Sequence, residues 1–194
     1  MYNGVEIIAE VKDRSPFSGR CSDRSLEELL DTAIGIGDMI SIHTSLPWGG
    51  SFAWLKKARK ETNKPILAKG IHENDRLVER ALFECGADWV LVVYGHTPNG
   101  FRPLPRYELL KYCLIEPATL EDLQNISSGI RAVWNSRDLY NKGEPKTETF
   151  EEARKLFNGW LCQASNLNTV QDIKPGANAV LVGTNLEKFS ESLR

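Results

Sequence analysis

Residues 6–12 read Glu6-Ile7-Ile8-Ala9-Glu10-Val11-Lys12. This is an apolar run of strand length, and it ends in two charges that share one face because strand side chains alternate. Seven further runs have the same build: 39–44 (MISIHT), 65–70 (PILAKG), 89–95 (WVLVVYG), 112–117 (YCLIEP), 132–137 (AVWNSR), 160–164 (WLCQA) and 179–183 (AVLVG). Each is rich in Val, Ile, Leu or aromatic residues. Near-continuous hydrophobicity of this kind fits strands covered on both faces, as in a parallel sheet.

Amphipathic segments lie between the runs. Ser25 followed by Glu28 forms a capping box, and Leu26, Leu29, Leu30 and Ala33 mark one helical face. Residues 73–85 place Leu77, Val78, Ala81 and Leu82 on a stripe that Gly86 ends. Helices are also expected over 51–60, from Thr119, from Thr149 and over 185–193, with barely two turns at 106–111 and 168–174. Strands alternating with helices imply βαβ units, and eight such units imply a compact α/β (β/α)8 TIM barrel occupying residues 1–194 as one domain. About 24 residues per unit (194 over eight) is tight for that fold. A doubly wound open sheet is the alternative. Residues 141–146 (NKGEPK) read as a mobile, solvated loop.

Composition is that of an ordinary globular chain, 41% apolar and 26% charged. The net charge of −2 gives no bulk attraction for nucleic acid or acidic lipid, so any anion site must be built locally. The basic run at 56–60 (KKARK) reads as a solvated helix face. The four cysteines have no zinc-like spacing and fit a reducing compartment. No stretch is apolar for long enough to span a membrane, and the amino end has no signal-peptide pattern, so a cytoplasmic location is expected. His43, His72 and His96 lie on different units without metal-ligand spacing, so no metal is expected. His43 falls in the second βα loop, within reach of a substrate. Trp54, Trp89, Trp134 and Trp160 read as packing residues.

In such a barrel, chemistry collects where strands end and βα loops begin. The runs end in Glu10 and Lys12, in Lys69, in Glu116, and in Asn135 and Arg137. Cations and carboxylates on one rim suit an anionic substrate and proton handling. The seventh and eighth loops, Ala164-Ser165-Asn166 and Gly183-Thr184-Asn185, fall where barrels bind phosphate.

These residues carry a resemblance. Glu10-Val-Lys-Asp-Arg-Ser-Pro16 resembles the E-x-K-x-x-S-P signature of the indole-3-glycerol phosphate synthases. The similarity continues, in family order, through Trp48-Gly-Gly-Ser51, Pro65-Ile-Leu-Ala-Lys69, Leu114-Ile-Glu116, Asn135-Ser-Arg-Asp-Leu139 and Leu181-Val-Gly-Thr184. The resemblance implies conversion of 1-(2-carboxyphenylamino)-1-deoxyribulose 5-phosphate, a phosphosugar, to indole-3-glycerol phosphate, without cofactor. It implies Lys69 as general acid. Lys12 would hold anionic parts of the substrate, phosphate included, and serve as acid in the dehydration. Glu10 and Glu116 would orient the lysines and take up protons, and Asn135 would bond a sugar hydroxyl. Ser15 and Arg137 would lie near the departing carboxylate. Pro16 and Trp48 would wall the aromatic ring, and Ser165, Asn166, Gly183 and Thr184 would hold phosphate. The family default is a monomer, open to complexes with other tryptophan-pathway enzymes.

Three departures stand beside the resemblance. The family carries a longer segment before the first strand, which covers the mouth of the site. Its seventh strand ends Glu-Ser-Gly where this chain has Ala164-Ser165-Asn166, and Asp-Phe stands where this chain has Gly70-Ile71. They motivate a second expectation: a barrel that binds a phosphosugar or a partner with weak catalysis or none. A third is another phosphosugar barrel enzyme such as phosphoribosylanthranilate isomerase. That enzyme places a cysteine at the end of its first strand, where this chain has Glu10 and Lys12.

Overall fold

The eight apolar runs form the eight strands of a closed parallel barrel in the computed structural model, which describes residues 1–193. The strands are β1 (Glu6–Val11), β2 (Met39–His43), β3 (Ile66–Lys69), β4 (Trp89–Thr97), β5 (Cys113–Pro117), β6 (Arg131–Asn135), β7 (Leu161–Ala164) and β8 (Ala179–Val182). Neighbours in sequence are neighbours in the sheet, β8 pairs with β1, and the β3–β4 pairing completes the ring. That closure excludes the open-sheet alternative. β4 runs past the barrel rim into an antiparallel hairpin with Gly100–Arg102.

Seven α-helices follow among the described residues: α1 (Leu26–Ile36), α2 (Phe52–Glu61), α3 (Asp75–Glu79), α4 (Tyr107–Leu110), α5 (Leu120–Gln124), α6 (Phe150–Leu156) and α7 (Leu186–Glu191). Ser25 and Glu28 form the expected capping box on α1. The helix expected over 73–85 changes hand-hold halfway, passing from α3 into a π-helical turn at Arg80–Glu84. The segment at 168–174 is only a 3-10 turn, Val170–Asp172. Its length explains how the seventh unit fits a short chain.

Strand alternation divides the core in two. Ile7, Ala9 and Val11 face the helices, with Ile40, Ile42, Val90, Val92 and the fully buried Trp134. Ile8, Met39, Leu67, Leu91, Leu114 and Cys162 fill the barrel. Each fully buried aliphatic side chain contributes roughly 1.5–3 kcal/mol. The other tryptophans also pack: Arg131 lies over both Trp89 and Trp160, at 4.3 and 4.9 Å from their ring centres, and Lys57 lies over Trp54.

The loop after β6 is more structured than its composition suggests. Asp138 N donates to Glu144 O, Gly143 N to Asp138 O, and Lys146 N to Ser136 O. A side chain at Gly143 would come within 2.6 Å of the Phe17 ring, so this loop meets the β1–α1 loop closely. Lys146 turns inward over Trp134 at 4.3 Å. Residues 141, 142, 144 and 145 are exposed, as the solvated reading of this loop expects, while these bonds give it an internal order that composition does not reveal.

Candidate active site

The C-terminal ends of the strands open onto a cavity of about 310 Å³. β1 brings Glu10 into it, and β3 brings Lys69. Lys69 Nζ donates to Glu10 Oε1 at 2.6 Å. His43 lies beside Lys69 in the β2–β3 register, and its Nε2 approaches the same oxygen at 3.0 Å. Burial alone would raise the Glu10 carboxyl, but Lys69, with help from His43 and Lys12, outweighs it and holds the group well below the usual carboxylate range. Glu10 is therefore an anion at neutral pH, with little tendency to carry a proton.

Lys12 follows one residue past β1, and its Nζ stands 4.9 Å above the centre of the Trp48 ring. Burial pushes its ammonium down from the ordinary lysine range, against the opposing pull of Glu10. Trp48 in turn stacks on His43, with ring centres 5.0 Å apart and planes 1° from parallel, and meets the edge of Phe17 at 5.3 Å. Pro16 and Phe17 line the same wall.

β5 and β6 supply a second cluster. Asn135 Nδ2 donates to Glu116 Oε1 at 3.0 Å. Asn135 Oδ1 accepts from Ser165 Oγ at 2.7 Å and from the Arg137 backbone N–H at 3.1 Å. Its amide is thereby fixed in orientation. Glu116 was expected to orient a lysine, and its hydrogen bond goes to Asn135 instead.

Ser165 and Asn166 both adopt left-handed backbone, with φ of 71° and 55°. Asparagine tolerates that region better than most residues. Asn166 stands where the resembled family has glycine, and its Nδ2 donates to Ser136 Oγ at 3.2 Å. Gly183 and Thr184 line the cavity across from this loop. A Cβ at Gly183 would lie 2.1 Å from Glu10 Oε2, so the glycine makes room for the carboxylate.

Twelve of the thirteen residues singled out in the sequence line this one cavity: Glu10, Lys12, Pro16, Trp48, Lys69, Glu116, Asn135, Arg137, Ser165, Asn166, Gly183 and Thr184. Ser15 does not. It is buried in the short hairpin of Arg14–Ser15 with Gly19–Arg20, where its Oγ accepts from the Phe17 N–H at 3.3 Å. Sequence reasoning assigned no role to Phe17, Leu139 or the apolar floor of Leu91, Val93 and Leu181. The alternation within runs 89–95 and 179–183 was the signal for that floor.

His72 and His96 serve packing and loop anchoring. His72 Nδ1 donates to Leu91 O at 2.7 Å, and its Nε2 faces Thr44 Oγ1 at 3.2 Å. His96 Nδ1 meets Asp122 Oδ1 at 2.9 Å. Cys85, Cys113 and Cys162 are buried and free, and burial pushes the Cys113 thiol up to about 12. No helix among the described residues is long and apolar enough to cross a membrane.

The fold and the cavity define a (β/α)8 barrel with an acid–base cluster at the C-terminal ends of its strands, the place such barrels use for catalysis. The chain is similar, at 27% identity across 92% of its length and 70% of the other protein, to the indole-3-glycerol phosphate synthase of Arthrobacter sp.. It is also 27% identical to the tryptophan biosynthesis protein TrpCD of Archaeoglobus fulgidus, across 96% of this chain but only 37% of that longer protein. The resemblance carried by the motifs therefore extends over nearly the whole chain. No protein-family model matches it. Among solved structures, a monomeric form of phosphoribosylanthranilate isomerase from Thermotoga maritima superposes with a TM-score of 0.62, covering 97% of this chain and 94% of that one at 12% identity. That likeness shows the shared barrel fold alone.

Proposed function

We propose that this chain is an indole-3-glycerol phosphate synthase, acting on 1-(2-carboxyphenylamino)-1-deoxyribulose 5-phosphate. The observation that carries the assignment is the Lys69–Glu10 pair in one cavity with the Glu116–Asn135 pair. Ring closure needs a proton donor at the ketone oxygen as the aromatic carbon attacks it, and an ammonium held by a buried anion is a positioned donor. Lys69 gives that proton. Loss of carbon dioxide restores the aromatic ring system's electrons, and dehydration then needs an acid at the departing hydroxyl and a base for the remaining proton. Lys12, pushed down by burial, is suited to the acid role. Glu116 is the carboxylate left to accept a proton, because Glu10 is held as a strong ion-pair partner.

The ring side of the substrate packs against Pro16, Phe17 and Trp48, with Leu139 opposite. The phosphate lies between the Ser165–Asn166 turn and Gly183–Thr184. Arg137 stands near the carboxylate that leaves. The enzyme needs no cofactor, and its buried free thiols fit the cytoplasm.

One observation favours a second possibility. Ala164, at the end of β7, is buried and apolar where the resembled family has a carboxylate. A barrel that binds the phosphosugar without turning it over would have lost a group at that position. The isomerase alternative has no such support, because Glu10 and Lys12 stand at the exit of β1. The test is an indole-fluorescence assay with the synthetic ribulotide, wild type beside Lys69→Met, with binding measured by calorimetry. Product from wild type alone supports the synthase. Binding without product supports the non-catalytic barrel, and absence of both binding and product sinks the two together.

A further inference from the structure

The second strand contributes a group that the acid–base account above does not use. His43 is 3% exposed, and its Nδ1 has no hydrogen-bond partner. A buried imidazole nitrogen without a partner is costly to keep, so its retention calls for a reason. Its surroundings supply one. Register sets His43 directly beside Lys69. Its Nε2 lies 3.0 Å from Glu10 Oε1, the oxygen that already accepts Lys69 Nζ at 2.6 Å. The flat face of its ring is stacked on Trp48, whose own ring lies under Lys12 Nζ. His43 thus touches both the proton-handling pair and the aromatic wall.

We propose that His43 is a positioning residue for the Glu10–Lys69 pair, wedging the carboxylate against Lys69 while bracing Trp48 at the ring-binding wall. This rests on the synthase assignment for its effect on turnover. On the other side, Gly183 leaves just the room that the second carboxylate oxygen occupies, since a Cβ there would lie 2.1 Å from Glu10 Oε2. The charged and titratable groups facing His43 are Glu10 and Lys12 of the first unit, Lys69 of the third, and more distantly His72. One carboxylate already serves two ammonium groups there. A neutral His43 leaves that balance intact. A protonated His43 would add a third cation and draw Glu10 Oε1 away from Lys69. Burial, with Lys69 and Lys12, holds the ring neutral into the acid range, against the pull of Glu10. Activity should therefore fall on the acid side when His43 finally takes a proton.

The experiment combines kinetics with a readout that needs no turnover. The pH dependence of kcat and KM is measured for wild type, His43→Leu and His43→Gln. In parallel, the His43 ring is titrated by NMR in wild type, Glu10→Gln and Lys69→Met. His43→Leu is expected to lower kcat about tenfold or more with KM nearly unchanged, and to move the acid limb to lower pH. His43→Gln, which keeps a donor toward Glu10 but cannot ionise, is expected to recover most of kcat while keeping the displaced limb. In the titrations, Glu10→Gln should lower the His43 midpoint and Lys69→Met should raise it, each by about one unit. Equal losses at every pH in both variants, or a wild-type acid limb in His43→Gln, would overturn the positioning role. So would a His43 midpoint indifferent to Glu10 and Lys69. If no variant or wild type turns over, the NMR arm still decides the coupling, and only the synthase assignment fails.

Discussion

Gly183→Ala offers the sharpest separation of two roles for one residue. The sequence places Gly183 at a phosphate loop, whereas the structure sets its missing side chain 2.1 Å from Glu10 Oε2. Its backbone lies outside the left-handed region, so alanine adds no conformational strain. The whole cost is contact. A methyl needs about 3 Å or more from a carboxylate oxygen, so Glu10 must retreat by roughly 1 Å. Glu10 is buried, and its other oxygen is pinned by Lys69 at 2.6 Å, so the retreat stretches that bond beyond hydrogen-bonding range. Misplacing an acid–base group by about 1 Å costs on the order of 10²-fold, or about 2.7 kcal/mol in the barrier. Disrupting a buried ion pair adds up to about 3–5 kcal/mol of lost stability. The assay is kcat and KM by indole fluorescence, with the melting temperature and calorimetric affinity for substrate. A large fall in kcat with affinity near wild type is expected. Wild-type kcat with weakened substrate affinity would refute the steric reasoning and return Gly183 to the phosphate loop.

Further outcomes follow from the same contacts. Asn166→Gly should be tolerated or slightly stabilising, whereas Asn166→Val should lose about 1–2 kcal/mol or more, because a β-branched residue is strained at a φ of 55°; urea midpoints of the two variants measure the difference. Asn135→Ala leaves Glu116 Oε1 and Ser165 Oγ without their partner, so it should cost about 1–3 kcal/mol of stability and most of kcat, read by melts and turnover. Ala164→Glu should raise kcat and lower the melting temperature together, since a carboxylate would enter a buried position; kcat unchanged or reduced would show that the position no longer serves catalysis. Acid stability has two parts. Glu10 is depressed when folded, so its contribution is present above its unfolded value near 4.3 and is lost as pH falls through the lower folded value. His43 is a depressed base, so below about 6.5 the unfolded chain binds its proton first and stability falls with pH. Melting temperature should therefore decline from about pH 6.5 downward, with His43→Gln removing part of the upper fall, His72, likewise lowered by burial, keeping the rest, and Glu10→Gln flattening the lower part.

The eight strands were legible because every one is covered on both faces, which prints a continuous apolar run in the sequence. Strand ends were legible for the same reason: Lys69, Glu116 and Asn135 interrupt runs that would otherwise stay apolar. What escaped depends on partners that composition does not name. The contact of Gly183 with Glu10 exists only because β8 closes against β1, at opposite ends of the chain. The approach of His43 to Glu10 depends on the β1–β2 and β2–β3 registers, which shift every neighbour if moved by one residue. The loop after β6 is polar in composition, yet its backbone bonds to itself through Asp138, Glu144 and Lys146. Ser15 was drawn into the site by its place in a motif, although its hydroxyl is used in a local turn.

The two-sided strands also bear on how such a molecule can change over generations. In β1, Ile7, Ala9 and Val11 secure the helices, whereas Ile8 anchors the barrel floor and Glu10 reaches the cavity. Foldedness and chemistry are thus written on alternate letters of one short word. Drift in the inward letters near the rim can retune or silence the reaction while the outward letters keep the protein folded and heritable. Ala164 stands at such a letter. A lineage built this way can lose a catalytic group, survive as a binder, and later regain activity without ever passing through an unfolded ancestor.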